Sequence, residues 1–396
     1  MLMRRLILGA LAAGLLLIVF DGRASAYPQF QFSSGTSRCS QCHYAPDGGG
    51  LITAWGRDEA GDTISRGGDG AFLHGAWTPP SWLSLGADVR LAALANDTGG
   101  YESPEWAFFP MQTDLYARAA LGDQFSVYLQ GGIRGDTGRE ESLDNRFNSV
   151  ADRFISYEHW LMWRPSATGP YLRAGRFYVP YGLRLVEHVA YVQRYTGFDI
   201  YQQTYNFTGG YIGDDWELHL SLFAPPPSSF PIALQAVNIQ QSGGAGYAEK
   251  RFGGMGLIAL QTRVGVSSEY DVYQFGAVGK LWLEQAKLLF MGEGDYIRKQ
   301  VTVNSAGGEN QFVSYLGANY FPIRGVMTGL TYEFYQEDLS VKGTSHNAID
   351  LEVNYFPWAH FELVAYARWQ LYGASASGTP GPDTASLYML QFHYYL

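Results

Sequence analysis

From Pro80 to the carboxyl end, apolar and polar residues alternate with a period of two. Leu83, Leu85, Ala87, Val89 and Leu91 are interleaved with Ser84, Asp88 and Arg90. Trp216, Leu218, Leu220 and Leu222 are interleaved with Glu217, His219 and Ser221, and Ile349, Leu351, Val353 and Tyr355 with Asp350, Glu352 and Asn354. Phe361, Leu363, Ala365, Ala367 and Trp369 repeat the pattern around Glu362, Tyr366, Arg368 and Gln370. Alternation sends successive side chains to opposite faces of a strand. In runs of about ten residues, with the apolar set facing lipid, it is the pattern of a transmembrane barrel strand.

Such runs start near Trp82, Phe108, Phe125, Arg153, Tyr171, Tyr205, Trp216, Lys250, Gln261, Tyr273, Ala286, Gln311, Gly325, His346, His360 and Ala385. They predict an all-β fold: a transmembrane antiparallel β-barrel of about 16 strands over residues 81–396. An even count puts both barrel ends on one side, with short turns there and longer loops opposite. Turns at Leu121-Gly122-Asp123-Gln124, Gly213-Asp214-Asp215 and Phe356-Pro357-Trp358-Ala359 fit, as do polar loops at 93–107, 135–150, 179–204, 225–248, 300–310, 337–345 and 372–384. The connection near Asp271 is too short for its side. A soluble sandwich also alternates, but its inner face is apolar, which leaves Asp88, Arg90, Asp114, Arg118, Glu217, His219, Asp350, Glu352, Glu362 and Arg368 without a reason. In the barrel they face the lumen. The final run, Tyr388, Leu390, Phe392, Tyr394 and Leu396, resembles the terminal signal of outer-membrane proteins, which more often ends in Phe or Trp.

Within 179–204, Leu183, Val186, Val189 and Val192 have helical spacing, so this loop either folds inward as a constriction or caps the rim.

Composition agrees with a lipid-facing wall. Aromatic residues make up 15% of the 396 and charged residues only 16%, against about 25% in soluble domains. The net charge of −10 excludes nucleic acid as a partner.

Arg4 and Arg5, the apolar run Leu6 to Phe20, and Ala24-Ser25-Ala26 have the order of an export signal over residues 1–26. An uncleaved anchor is the alternative, though the run falls short of the ~20 residues a span needs.

The two cysteines, Cys39 and Cys42, are followed at once by His43. C-x-x-C-H is the attachment sequence for a c-type haem: two thioethers fix the porphyrin edge, and the adjacent imidazole ligates iron. A structural disulfide is the alternative, since export leads to an oxidising compartment, with His43 there by chance, and a zinc half-site would lack its other two ligands. His74 is the expected second iron ligand, with Met111, Tyr44, a wall histidine or water as alternatives. Residues 27–80 are too few for an independent cytochrome domain. They read as a monohaem segment that either plugs the barrel or hangs below it.

The C-x-x-C-H near the mature start, Pro28, Phe30 and Gly35 before it, Leu51, Trp55, Gly56 and Arg57 after it, and a barrel of about 16 strands together resemble the fused outer-membrane cytochrome–porins of iron-oxidising bacteria. The sequence departs from that family's pattern at Gln31-Phe32-Ser33-Ser34. The resemblance implies one covalent haem c on Cys39, Cys42 and His43, and electron transfer across the bacterial outer membrane. Extracellular Fe(II) would be the donor and a periplasmic c-type cytochrome or other redox carrier the acceptor. Electron export, a haem-free diffusion porin with a disulfide-pinned plug, and a homo-oligomer remain open.

Overall fold

The computed structural model describes residues 27–97, 104–133, 154–199, 202–227, 241–302, 307–373 and 384–396. The expected export signal and the expected loop at 135–150 lie outside the described residues.

Sixteen strands close into an antiparallel barrel, each paired with its neighbours in sequence and the last with the first. They are β1 (Leu83–Asp97), β2 (Glu105–Leu121), β3 (Phe125–Ile133), β4 (Phe154–Trp163) and β5 (Gly169–Phe177). Next come β6 (Thr204–Ile212), β7 (Trp216–Ala224), β8 (Ser242–Arg251), β9 (Gly256–Val266), β10 (Tyr270–Leu283) and β11 (Leu288–Val301). The set ends with β12 (Gly308–Tyr320), β13 (Val326–Gln336), β14 (Ser345–Tyr355), β15 (Phe361–Tyr372) and β16 (Thr384–Tyr395).

The period-two pattern decides which face is which. In β7, Trp216, Leu218, Leu220 and Leu222 are exposed on the outside, while Glu217, His219 and Ser221 are buried within. The seam follows the same logic, with Val89 opposite Tyr394 and Leu91 opposite Phe392. Closure leaves no strand edge unpaired, which a bilayer requires. One irregularity lies between Arg90 and Leu91, which pair with Gln112 and Pro110. Met111 is thus an extra residue on β2, beside a proline that cannot donate to the ladder.

Strand starts match the alternation closely except at two places. β8 begins at Ser242 rather than near Lys250, and β9 at Gly256 rather than near Gln261. Ser242-Gly243-Gly244-Ala245-Gly246 is strand without side chains large enough to alternate. The connection between β9 and β10 is as short as the sequence indicates.

Two segments fill the lumen. Residues 27–80 enter from the end that holds the short turns. Tyr27 donates to Glu362 (2.5 Å), Lys280 to Gln31 (2.6 Å), Arg57 to the Leu85 carbonyl (2.5 Å) and Arg324 to the Ser65 carbonyl (2.5 Å). From the opposite end, the connection between β5 and β6 folds inward. Its Gly182 and Leu183 amides donate to Gln261 and Glu293, both at 2.7 Å, and the Tyr181 hydroxyl to Asp295 at 2.6 Å. The helix expected there reduces to one turn, Tyr191–Arg194. Arg184 sits at φ +58°, which ends any helical run through Leu183.

Candidate functional site

Between plug and in-folded loop lies a cavity of about 180 Å³. Cys39, Cys42 and His43 line it from the plug, and Tyr181 to Arg184 line it from the loop.

The cysteine turn is held by its own sequence. Cys39–Cys42 forms a single helical turn, so its two thiols fall three residues apart on one face. The Gln41 side chain reaches back to accept from the Ser37 and Arg38 amides, both at 3.1 Å. Thr53 fixes the other end: its hydroxyl donates to the Gln41 carbonyl (2.6 Å) and its amide to the Cys42 carbonyl (2.8 Å). Thr53 also caps the following helix, Ala54–Glu59. At Gly56 that helix meets the turn backbone to backbone; a Cβ would stand 2.4 Å from the Cys42 carbonyl oxygen.

Burial pushes the Cys39 thiol up to about 12 and the Cys42 thiol to about 11, so both are neutral at physiological pH. Both are free of any disulfide in this structure. Burial lowers His43 to about 4, against the pull of the nearby Gly50 and Gly49 carbonyls, so its imidazole is neutral. Its Nδ1 is enclosed and has no hydrogen-bond partner.

Two further histidines line the cavity, and both are fully engaged. His393 stands between Asp88 (2.7 Å) and Glu362 (2.8 Å). His219 bonds to the Tyr171 hydroxyl (2.5 Å) and to Glu217 (2.8 Å). Among the described residues, His43 is the one cavity histidine with a ring nitrogen, Nδ1, enclosed without a partner.

The structure does not bring His74 to this site. It lies exposed at the turn end, 3.2 Å from the Tyr394 hydroxyl and edge-on to His360 with ring centres 4.8 Å apart. Of the lumen set read from the sequence, Asp88, Arg90, Asp114, Glu217, His219, Asp350, Glu362 and Arg368 are buried inside, and Arg118 and Glu352 half-buried. Sequence reasoning missed Asp47, Lys280 and His393. His393 had a signal, since it alternates with Phe392 and Tyr394; Asp47 sits in a Gly-rich turn and had none.

No protein-family profile and no curated protein matches this chain significantly. Solved structures do resemble it. OprB of Pseudomonas putida, in a high-pH structure, superposes with a TM-score of 0.59 at 11% identity, covering 79% of this chain and 94% of its own. An anion-selective porin from Comamonas acidovorans gives 0.57 at 11% identity, covering 79% and 99%. The outer membrane channel DcaP of Acinetobacter baumannii gives 0.54 at 10%, covering 79% and 97%. At such identities the likeness speaks for the fold. The barrel has the fold of outer-membrane porins, and an exterior so apolar over a polar lumen requires a bilayer around it.

Proposed function

We propose that the protein carries electrons across the outer membrane through one c-type haem fastened at Cys39 and Cys42 and ligated by His43. The observation that carries this reading is that Cys39, Cys42 and His43 together line one cavity enclosed between plug, in-folded loop and barrel wall. The residues present suit that group. Two free thiols share one face of a single helical turn, the adjoining imidazole is neutral with its Nδ1 unpartnered, and Phe30, Leu51, Val278 and Phe356 supply apolar wall. Bound there, the iron supplies a one-electron couple.

The chain's part is to hold, bury and tune. Thr53 and Gln41 fix the turn, and the loop residues Tyr181 to Arg184 cover the cavity from the side facing away from the turns. A bilayer with its headgroups is about 40 Å thick, more than one cofactor reaches. The lumen position therefore brings a donor outside and an acceptor in the periplasm each part of the way. Extracellular Fe(II) is the proposed donor substrate and a periplasmic c-type cytochrome the acceptor; electron export uses the same parts in reverse.

Pyridine haemochrome absorption of the purified protein, with haem staining after denaturing electrophoresis, tests the reading. Wild type should stain and Cys39→Ser/Cys42→Ser should not. A colourless wild type with a reducible disulfide would favour instead a plugged diffusion porin, the reading nearest to the structural neighbours. Reduction of the stained protein by ferrous iron in intact cells then tests the donor.

A further inference from the structure

We infer that Arg90 grips a carboxylate at the edge of the cofactor farthest from the cysteines, and so sets which way the cofactor lies in the barrel. The inference rests on the haem reading and adds an orientation to it.

Arg90 is a lumen residue of β1, only 4% exposed, and it lines the cavity. Among the described residues its guanidinium makes no hydrogen bond, and its Nε is enclosed without a partner. A buried arginine with five unused donors is costly unless an anion meets it. The nearest carboxylates do not serve. Asp88 accepts from Tyr116 and from His393, and Glu362 accepts from Tyr27 (2.5 Å), Asn354 (2.9 Å) and His393 (2.8 Å). They balance Arg90 at a distance and leave its fork open toward the cavity.

The position fits one edge of a c-type haem. The thioether carbons and the two propionates stand on opposite edges of the macrocycle. Cys39 has Lys280, Glu217, Glu249 and Arg251 as its charged neighbours, on β10, β7 and β8. β1 lies about half-way round the cylinder from those strands. Fastening one edge beside β8 and β10 therefore sends the propionate edge toward β1, where the planar guanidinium can bind a carboxylate with two parallel bonds. Lys280, beside Cys39, is on the wrong side for that contact, and its ammonium already donates to Gln31 and to the Pro28 carbonyl at 3.3 Å.

The test uses full-length protein purified from membranes with its haem, as wild type, Arg90→Gln, Arg90→Lys and Lys280→Gln. Haemochrome content and the migration of the folded barrel on a gel verify that each variant is loaded and assembled. The resonance Raman propionate-bending bands and the midpoint potential are the readouts. Arg90→Gln should move one propionate band and lower the potential, because a cation favouring the reduced state is gone; a tenfold change in that equilibrium is about 59 mV. Arg90→Lys should move the same band yet hold the potential nearer wild type, and Lys280→Gln should leave the band in place. Loaded Arg90→Gln with unchanged bands and potential overturns the assignment while sparing the haem reading. A wild type without haem overturns both.

Discussion

Asp47 of the plug and Arg184 of the in-folded loop form an ion pair of 2.5 Å inside the barrel, and Arg173 of the wall closes on the same carboxylate at 3.0 Å. One buried anion thus joins plug, loop and wall. Burial alone would raise Asp47, but the two guanidiniums outweigh it and hold its carboxyl well below the usual range.

Removing that anion should loosen both segments. Asp47→Asn leaves two cations facing each other, and breaking a buried pair costs about 3–5 kcal/mol. The expected outcome is higher single-channel conductance in planar bilayers and faster proteolysis of residues 27–80. Conductance equal to wild type would refute a role for this contact in holding the plug.

The sign of the pH effect follows from the same shift. A carboxylate depressed in the folded state stabilises fully above its unfolded value, about 3.9, and loses that contribution as pH falls through the lower folded value. Plug docking through Asp47 should be constant from neutral pH down to about 5 and fail only in stronger acid. Conductance recorded across that range checks it, and opening between pH 6 and 5 would contradict it.

Gly56→Ala should disturb the cysteine turn, because the new methyl meets backbone at 2.4 Å with no side chain to swing aside. Overpacking of this kind costs about 1–3 kcal/mol. Haem stain per barrel should fall, while barrel assembly, read by gel migration, stays intact.

If the proposed haem is present, His43→Ala should alter its optical spectrum, and His74→Ala should not, since His74 lies on the exposed rim beside Tyr394. A spectral change in the His74 variant would mean that the segment Phe72–Gly75 rearranges when the cofactor is bound.

On the lipid face, Leu220→Arg should destabilise the barrel by about 2–4 kcal/mol if it lies near the bilayer midplane. Ser221→Thr on the same strand faces inward and should be tolerated. Denaturant unfolding in liposomes separates the two.

The barrel was readable because each wall residue meets either lipid or lumen, and a period of two records that choice directly. Leu218 and His219 declare their faces without any tertiary information. Where side chains vanish, as at Gly243 and Gly244, the record stops, and β8 was read eight residues late. The lumen is a different matter. Asp47 meets Arg173 and Arg184 across 126 and 137 residues of chain, and nothing local at either end announces the other. The cysteine–histidine triplet was legible as a motif; its seat between plug and loop was not, because that depends on how residues 27–80 pack against the wall. His74 was singled out for being the other early histidine, and proximity in sequence did not become proximity in space.

Gly86 of β1 packs against both Leu51 of the plug and the carbonyl of the terminal residue Leu396, whose amide bonds to Ala87 at 2.8 Å. The first and last strands therefore zip together directly over a plug that touches walls all around the cylinder. Docking of the stopper against β1, β10 and β15 and closing of the seam are therefore coupled events. A haem fastened at Cys39 and Cys42, as proposed, would be shut in once that seam seals, so attachment before closure meets the fewest contacts in its way.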